Sequence, residues 1–226
     1  MAIINNTHRF IFIHIPKAAG TSLSQYYSQQ CSTIADVEIG GSAMGEAVQA
    51  FYMKRFKITK HATALEIKTA LGMSVFNQYF RFSFVRNPFD RTISTFKFLK
   101  KWLPGSALVE HANVFRQFDN VNDMIGSPYW ENPGIERIFQ PQWRWLYDES
   151  GVHLANYIGK VEAISADVKE LNCRLGLNLA PLSIHSNKTT EDTIQLSESS
   201  IEKISNRYRK DFEIFGYGPS EGEKAA

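Results

Sequence analysis

Several features that define common classes of protein are scarce or absent in this sequence of 226 residues. It has two cysteines, Cys31 and Cys173, whose separation fits no metal-ligand spacing. Two free thiols are favoured over a disulfide between them. No apolar run approaches the roughly 20 residues that are needed to span a bilayer. Residues 1–9 also lack the basic and then apolar order of a signal peptide. If nothing precedes Met1, these absences predict a cytoplasmic protein.

An excess of one sign of charge is also missing. The net charge is +2, and the basic residues are scattered rather than gathered into a stripe, so a nucleic-acid partner is not expected. Aromatic residues make up 13% of the chain, which argues against disorder. No His, Cys, Asp or Glu cluster has metal-ligand spacing, so no metal is predicted. The length suits a single domain over residues 1–226 with a frayed tail from residue 218.

Short apolar runs alternate with stretches of helical periodicity. The strands are predicted over Arg9–Ile15, Tyr79–Val85 and Asn156–Val161. Helices are predicted after capping boxes at Thr63–Glu66 and Ser199–Glu202, from Pro88 onward, and over Ser165–Leu175. This alternation predicts an α/β fold with a central parallel sheet flanked by helices, in which ligands bind beyond the carboxyl ends of the strands.

The first strand runs directly into a segment suited to binding an anion. Residues Lys17, Ala18, Ala19, Gly20, Thr21 and Ser22 combine small side chains, two hydroxyls and one ammonium group before a helix. Small residues let backbone N–H groups approach a phosphate, and the helix N-terminus favours negative charge. The order differs from the nucleoside-triphosphate loop, since the lysine precedes the small residues. On its own the segment fits an ordinary strand-to-helix turn equally well.

A second polar segment follows the second strand. Arg86 ends that strand, and Ser94 lies on the second turn of the next helix, from which its side chain can reach back toward Arg86. A guanidinium and a hydroxyl at such a corner suit a terminal phosphate, while a structural ion pair is the alternative. Asp90 and Arg91 fit a role in stabilising the turn or the helix start.

These two segments resemble the nucleotide-binding motifs of sulfotransferases that use 3′-phosphoadenosine 5′-phosphosulfate (PAPS). Residues 16–22 resemble the 5′-phosphosulfate loop, and residues 86–94 resemble the 3′-phosphate motif. The match is closest to the carbohydrate-directed branch that includes heparan sulfate 2-O-sulfotransferase and bacterial relatives. Residues 60–66 resemble the segment with that branch's catalytic histidine, and residues 187–191 resemble its late loop over the nucleotide. The resemblance spans residues 10–217, is weakest over 100–150, and implies a P-loop-like fold.

The resemblance implies a role for each matching residue. Lys17 would stabilise the leaving oxygen, Arg86 and Ser94 would hold the 3′-phosphate, and Lys188 would add a cation over the nucleotide. His61 would be the base that deprotonates the acceptor hydroxyl. Its place about two residues before a predicted helix start favours a neutral ring.

Other assignments of the base and its neighbours stay open. His14 is the rival base, but a histidine in a buried strand is more often a core residue. Glu66 could orient His61 or simply complete the capping box, and the capping box is favoured.

The acceptor is the least determined part of the function. The resemblance implies a hydroxyl on a saccharide or glycoconjugate, and four aromatic residues fit either a sugar-stacking platform or the core: Trp130, Trp143, Trp145 and Tyr147. The alternatives to a sulfotransferase are a nucleotide kinase-like phosphotransferase and a catalytically silent module that binds a nucleotide or a glycan.

Overall fold

The computed structural model describes residues 2–101, 109–131, 136–182 and 194–218. By its contacts the chain divides into two compact units. The first comprises residues 1–85 and 142–185, and the second comprises residues 86–141 and 186–226. The predicted single domain over 1–226 stays a prediction.

One five-stranded sheet organises the first unit. Its strands are β1 (Ala2–Asn5), β2 (Phe10–Phe12), β3 (Val37–Ile39), β4 (Phe80–Val85) and β5 (Tyr157–Lys160). They lie in the order β3-β1-β2-β4-β5. The β2, β4 and β5 strands are parallel to one another, whereas β1 is antiparallel to both β2 and β3. The carboxyl ends of β2, β4 and β5 therefore meet at one edge, which is where α/β proteins bind ligands.

The predicted α/β fold class and its three predicted strands are confirmed, as β2, β4 and β5. The sheet is mixed because the chain also forms a β1–β2 hairpin that the sequence patterns did not indicate. Asn5 stabilises this turn, since its side-chain oxygen accepts a hydrogen bond from the His8 amide (2.6 Å). Arg9 completes the reversal in a left-handed conformation with φ of 52°.

The helices that the structure describes are α1 (Gly20–Ser28), α2 (Ala43–Phe56), α3 (Ala64–Leu71), α4 (Met73–Phe76), α5 (Pro88–Lys100), α6 (Val109–Arg116), α7 (Val121–Gly126), α8 (Pro128–Glu131), α9 (Glu136–Phe139), α10 (Ile164–Leu175), α11 (Glu198–Arg207) and α12 (Arg209–Phe215). Short 3₁₀ turns span Gln142–Trp145 and Val161–Ala163. Within the described residues, none of the helices combines the length and the apolar character that crossing a membrane requires.

The core of the first unit lies between the sheet and the helices α1 and α10. Its members are buried aromatic and aliphatic side chains, among them Phe10, Phe12, Leu23, Tyr27, Phe82, Phe84, Val168 and Leu171. A polar link joins the two helices, because Asn172 donates to the hydroxyl of Tyr26 (2.7 Å) and accepts from that of Tyr27 (3.1 Å). This packing holds α1, and with it the loop that precedes α1, rigidly against the sheet.

In the second unit, the buried Arg91 of α5 ties the helices together. Its guanidinium donates to the carbonyls of Gln140 (2.9 Å) and Ile138 (3.0 Å), and it lies over the ring of Tyr208. Burial lowers the pKa of Arg91. Arg91 is thus structural, as the sequence favoured, and it anchors the C-terminal end of α9.

Several helix boundaries follow the predicted capping residues. Thr63 and Glu66 form the predicted capping box of α3, and Pro88 is the first residue of α5. The predicted capping box at Ser199–Glu202 is wrong. The N-cap of α11 is Ser197, whose hydroxyl accepts from the Ser200 amide (3.2 Å), and the predicted final helix is interrupted at Tyr208.

Candidate active site

The loop after β2 has an unusual backbone. Lys17 and Ala19 both adopt left-handed conformations, with φ of 66° and 56°, and neither is glycine. Such conformations are uncommon for residues with a Cβ, and they concentrate at ligand-binding sites. Ala19 is also the N-cap of α1, and its methyl group cannot cap the first turn. The first-turn N–H groups of α1 and its positive end are therefore suited to an external anion.

The predicted anion-binding residues differ in accessibility. Ala18 and Gly20 are buried, Lys17, Ala19 and Ser22 are half-buried, and Thr21 is exposed. The small residues thus pack inward and shape the backbone. The ammonium group of Lys17 and the hydroxyls of Thr21 and Ser22 belong to the accessible part of the loop.

His14 lies directly beneath this loop. A Cβ added to Gly20 would stand 1.7 Å from Nε2 and 1.9 Å from Cδ2 of the His14 ring. The ring is 7% exposed and stacks on Phe12, with a centroid separation of 6.0 Å. Gly20 is therefore required because the imidazole occupies the space that any larger residue would fill. The sequence showed the glycine but not this neighbour.

His61 lies beside His14. The two ring centroids are 4.6 Å apart at an interplanar angle of 53°, and Nδ1 of His61 lies 3.4 Å from the main-chain carbonyl oxygen of His14. The carbonyl of His61 accepts from Nε1 of Trp145 (3.2 Å). Thr63 is the N-cap of α3, so the predicted position of His61, two residues before the helix start, is confirmed.

Helix α2 holds the segment that carries His61. The side-chain oxygen of Gln49 accepts from the Lys60 amide (2.9 Å), and the carboxylate of Glu46 pairs with the Lys60 ammonium (2.8 Å). The pKa of the Glu46 carboxyl is lowered, chiefly by its hydrogen bond with Lys60. The backbone of Gly40 also packs closely against Lys60, since a Cβ added to Gly40 would lie 2.7 Å from the Lys60 side chain.

The environments of the two histidines differ in a way that bears on the choice of base. Burial, first of all, lowers the pKa of His14 well below its usual value, and nearby positive charge at the N-terminus, His61, Lys60 and Lys17 acts in the same direction. His61 is half-buried. A base must reach the substrate, so accessibility favours His61 over His14.

Glu66 takes the role that the sequence favoured. Its carboxylate accepts from the Thr63 amide (2.8 Å), and its own amide donates to the Thr63 hydroxyl (3.1 Å). The predicted capping box is therefore confirmed.

The 3′-phosphate candidates follow β4. Arg86 is half-buried and comes directly after the strand, and Asn87 caps α5 by accepting from the Phe89 amide (2.9 Å). Ser94 is half-buried on the second turn of α5. Their predicted binding roles stay predictions. Lys188, and the whole of residues 187–191, lie outside the described residues.

The proposed aromatic platform is largely core. Trp130 and Trp145 are buried, which confirms the core interpretation for these two, while Trp143 and Tyr147 are half-buried. Exposed aromatic residues lie on α2 instead: Phe51 is 61% exposed and Phe56 is 40% exposed. Sequence analysis missed them because the region from residue 40 to residue 60 has no clear periodicity.

The cysteines and the acidic residues that the structure describes form neither a disulfide nor a metal site. Cys31 and Cys173 are both free thiols. Among the residues that the structure describes, no three His, Cys, Asp or Glu side chains are grouped so that they could hold a metal ion.

Comparison with known proteins places this chain in a family. A model described as the sulfotransferase family matches residues 1–218, which is nearly the whole chain. No curated protein and no solved structure gives a significant match. With a strained anion loop at the carboxyl edge of the sheet and a histidine beside it, the chain belongs to the sulfotransferase family, whose enzymes transfer sulfuryl groups.

Proposed function

We propose that this chain transfers the sulfuryl group of PAPS to a hydroxyl group of a saccharide or glycoconjugate. The observation that carries the proposal is the juxtaposition of a candidate base with the anion loop. The His61 ring is 4.6 Å from the His14 ring, which itself packs against the first residue of α1. A base and a phosphosulfate site close together are what acceptor deprotonation and sulfuryl transfer both need.

The donor's 5′-phosphosulfate fits the loop between β2 and α1. Two left-handed residues and a first helical turn without a side-chain cap suit a bound anion. Lys17 supplies a full positive charge there. Its place in the reaction is at the oxygen that joins phosphorus to sulfur, where negative charge grows as the bond breaks.

The donor's 3′-phosphate is assigned to Arg86 and Ser94, with Lys188 as a further cation over the nucleotide. Arginine suits a phosphate because its planar guanidinium can donate two parallel hydrogen bonds. This assignment rests on the motif over residues 86–94 and makes the enzyme distinguish PAPS from nucleotides that lack a 3′-phosphate.

The proposed reaction is an in-line displacement at sulfur. The acceptor oxygen forms a bond to sulfur while the bond from sulfur to the 5′-phosphate oxygen breaks, and adenosine 3′,5′-bisphosphate leaves. The proton of the acceptor hydroxyl passes to His61. Its Nδ1 faces the His14 carbonyl at 3.4 Å, so Nε2 is the nitrogen that takes the proton.

A surface of α2 supports a saccharide or glycoconjugate as acceptor. Phe51, Tyr52 and Phe56 form an aromatic cluster with ring separations between 5.6 Å and 6.2 Å, and the helix that bears them holds the His61 segment. Exposed apolar patches of this kind mark ligand-binding surfaces.

Two measurements on the full chain test the proposal. In the first, calorimetry compares adenosine 3′,5′-bisphosphate with ADP and ATP, and the bisphosphate is expected to bind about 10-fold to 100-fold more tightly than ADP. In the second, radiolabelled PAPS is incubated with oligosaccharides, simple alcohols and phenols. Label on oligosaccharides supports the acceptor class, and label only on the other alcohols refutes it. Tighter binding of ATP than of the bisphosphate, together with no sulfuryl transfer, refutes PAPS as the donor.

A further inference from the structure

The buried imidazole of His14 has no assigned part in the reaction, yet it touches both halves of the site. We propose that His14 is a positioning residue whose ring sets the distance between the anion loop and His61. The inference rests on the proposed function, since it takes His61 as the base. It concerns the spacing of two elements that come from distant parts of the sequence.

The first contact of the ring is with the anion loop. Nε2, Cδ2 and Cε1 of His14 lie 1.7, 1.9 and 2.7 Å from the point where a Cβ of Gly20 would stand. The ring thus presses against the backbone of the first residue of α1. A smaller side chain at position 14 would leave a gap beneath this residue and let the helix start settle inward.

The second contact is with the base. The His14 and His61 ring centroids are 4.6 Å apart, and the His14 carbonyl faces Nδ1 of His61 at 3.4 Å. The side chain of His14 therefore limits how closely His61 can approach the loop. Its carbonyl selects the tautomer that leaves Nε2 unprotonated.

The backbone of His14 is well suited to this role because its neighbour is fixed to β4. The Ile13 amide donates to the Phe82 carbonyl (2.9 Å), and the hydroxyl of Ser83 donates to the Ile13 carbonyl (2.7 Å). The ring itself rests on Phe12. A side chain supported by a central strand positions its neighbours more accurately than one on a loop.

The charge state of the ring agrees with a role as a spacer. Burial, together with the positive N-terminus, His61, Lys60 and Lys17, keeps the pKa of His14 low, so the ring stays neutral. A neutral ring does not repel the imidazolium that His61 becomes when it takes the acceptor proton. A protonated ring 4.6 Å away would oppose that step.

The test compares variants that keep or remove the volume of the ring. His14→Ala removes it, and kcat is expected to fall by about 100-fold, the cost of misplacing a catalytic group by roughly 1 Å. His14→Gln restores nearly the same side-chain volume, and kcat is expected to return to within about 3-fold of the wild-type value. Binding of adenosine 3′,5′-bisphosphate by each variant shows that it is folded. If His14→Ala does not fold, His14→Thr, which also removes much of the volume, takes its place.

A structural control separates positioning from general loss of stability. Ile125 of α7 is fully buried away from the core of the first unit, and Ile125→Ala is expected to lower the melting temperature while kcat stays unchanged. If His14→Gln is as inactive as His14→Ala, the spacing role is overturned, because the imidazole then acts chemically. Unchanged kcat in His14→Ala overturns the spacing role as well.

Nitrogen-15 NMR of the His61 ring gives a readout that needs no substrate. Wild type and His14→Gln are expected to show a single neutral tautomer protonated at Nδ1, whereas in the truncated variant His61 loses its support, moves away from the His14 carbonyl and shows a mixture of tautomers. A wild type with this signature but without sulfuryl transfer refutes the proposed function alone. Identical spectra in all variants refute the positioning role alone.

Discussion

The contact between Gly20 and His14 allows a prediction whose sign runs against ordinary helix propensity. We expect Gly20→Ala to destabilise the protein although the substitution places alanine in a helix. The added Cβ would stand 1.7 Å from Nε2 of His14, and that ring is buried between Phe12 and His61. The ring has no open space into which it can turn.

The size of the effect follows from this distance. Non-bonded carbon atoms rest about 3.5–4.0 Å apart, so the imidazole must retreat by about 2 Å. Overpacking of this kind costs about 1–3 kcal/mol, and the better helix propensity of alanine offsets up to about 1 kcal/mol. The net loss in the free energy of unfolding therefore reaches about 2 kcal/mol. Since the retreating ring pushes His61, turnover is expected to fall by about 100-fold.

Urea denaturation and a sulfuryl-transfer assay measure the two effects. A loss of this size lowers the denaturation midpoint by about 0.5–1 M, given a typical slope for urea. Gly126→Ala is the matched control, because nothing lies within 4 Å of a Cβ at this position in α7. That variant is expected to gain up to about 1 kcal/mol. Gly20→Ala with a wild-type midpoint and wild-type turnover would refute the packing of His14 against the loop.

Three further predictions concern the nucleotide site and the thiols. Lys17→Ala is expected to lower kcat far more than donor affinity, because the lysine charge acts mainly as the bond between sulfur and the 5′-phosphate oxygen breaks. Single-turnover kinetics measure this step, and an unchanged rate would remove Lys17 from the mechanism. Arg86→Ala is expected to weaken binding of adenosine 3′,5′-bisphosphate by about 1.5–3 kcal/mol and leave ADP binding nearly unchanged, as followed by calorimetry; an equal loss for both nucleotides contradicts the 3′-phosphate role. Burial raises the pKa of Cys31 to about 12, so at pH values near neutrality iodoacetamide is expected to modify the exposed Cys173 well before Cys31, as mass spectrometry of timed samples can show. Faster modification of Cys31 would mean that its thiol is not shielded.

Local sequence was sufficient wherever a single element carries its own signal. The apolar run before Pro16 predicted β2, and the capping box at Thr63 and Glu66 predicted the start of α3. Such signals depend on residues within one or two turns of each other. The candidate anion loop could be named for the same reason, because its small residues, its lysine and the following helix are contiguous, and its binding role stays a prediction.

Elements defined by distant partners were not predictable in this way. Strand β1 exists because Ala2–Asn5 lies between β2 and β3, and no pattern in four residues indicates both neighbours. The start of α11 was misplaced by two residues, since several nearby serines can serve as cap and packing selects Ser197. Trp130 and Trp145 were left open between core and platform, because burial is not a property of local sequence.

The candidate site divides in the same way. Residue types and their spacing were enough to predict the α/β class and to name residues 17–22 as the candidate anion loop and two histidines as candidate bases. Tertiary structure alone decided that His14 is a buried ring beneath Gly20 and that His61 lies beside it. The physical reason is that burial and the approach of two side chains 47 positions apart depend on how the sheet and helices pack.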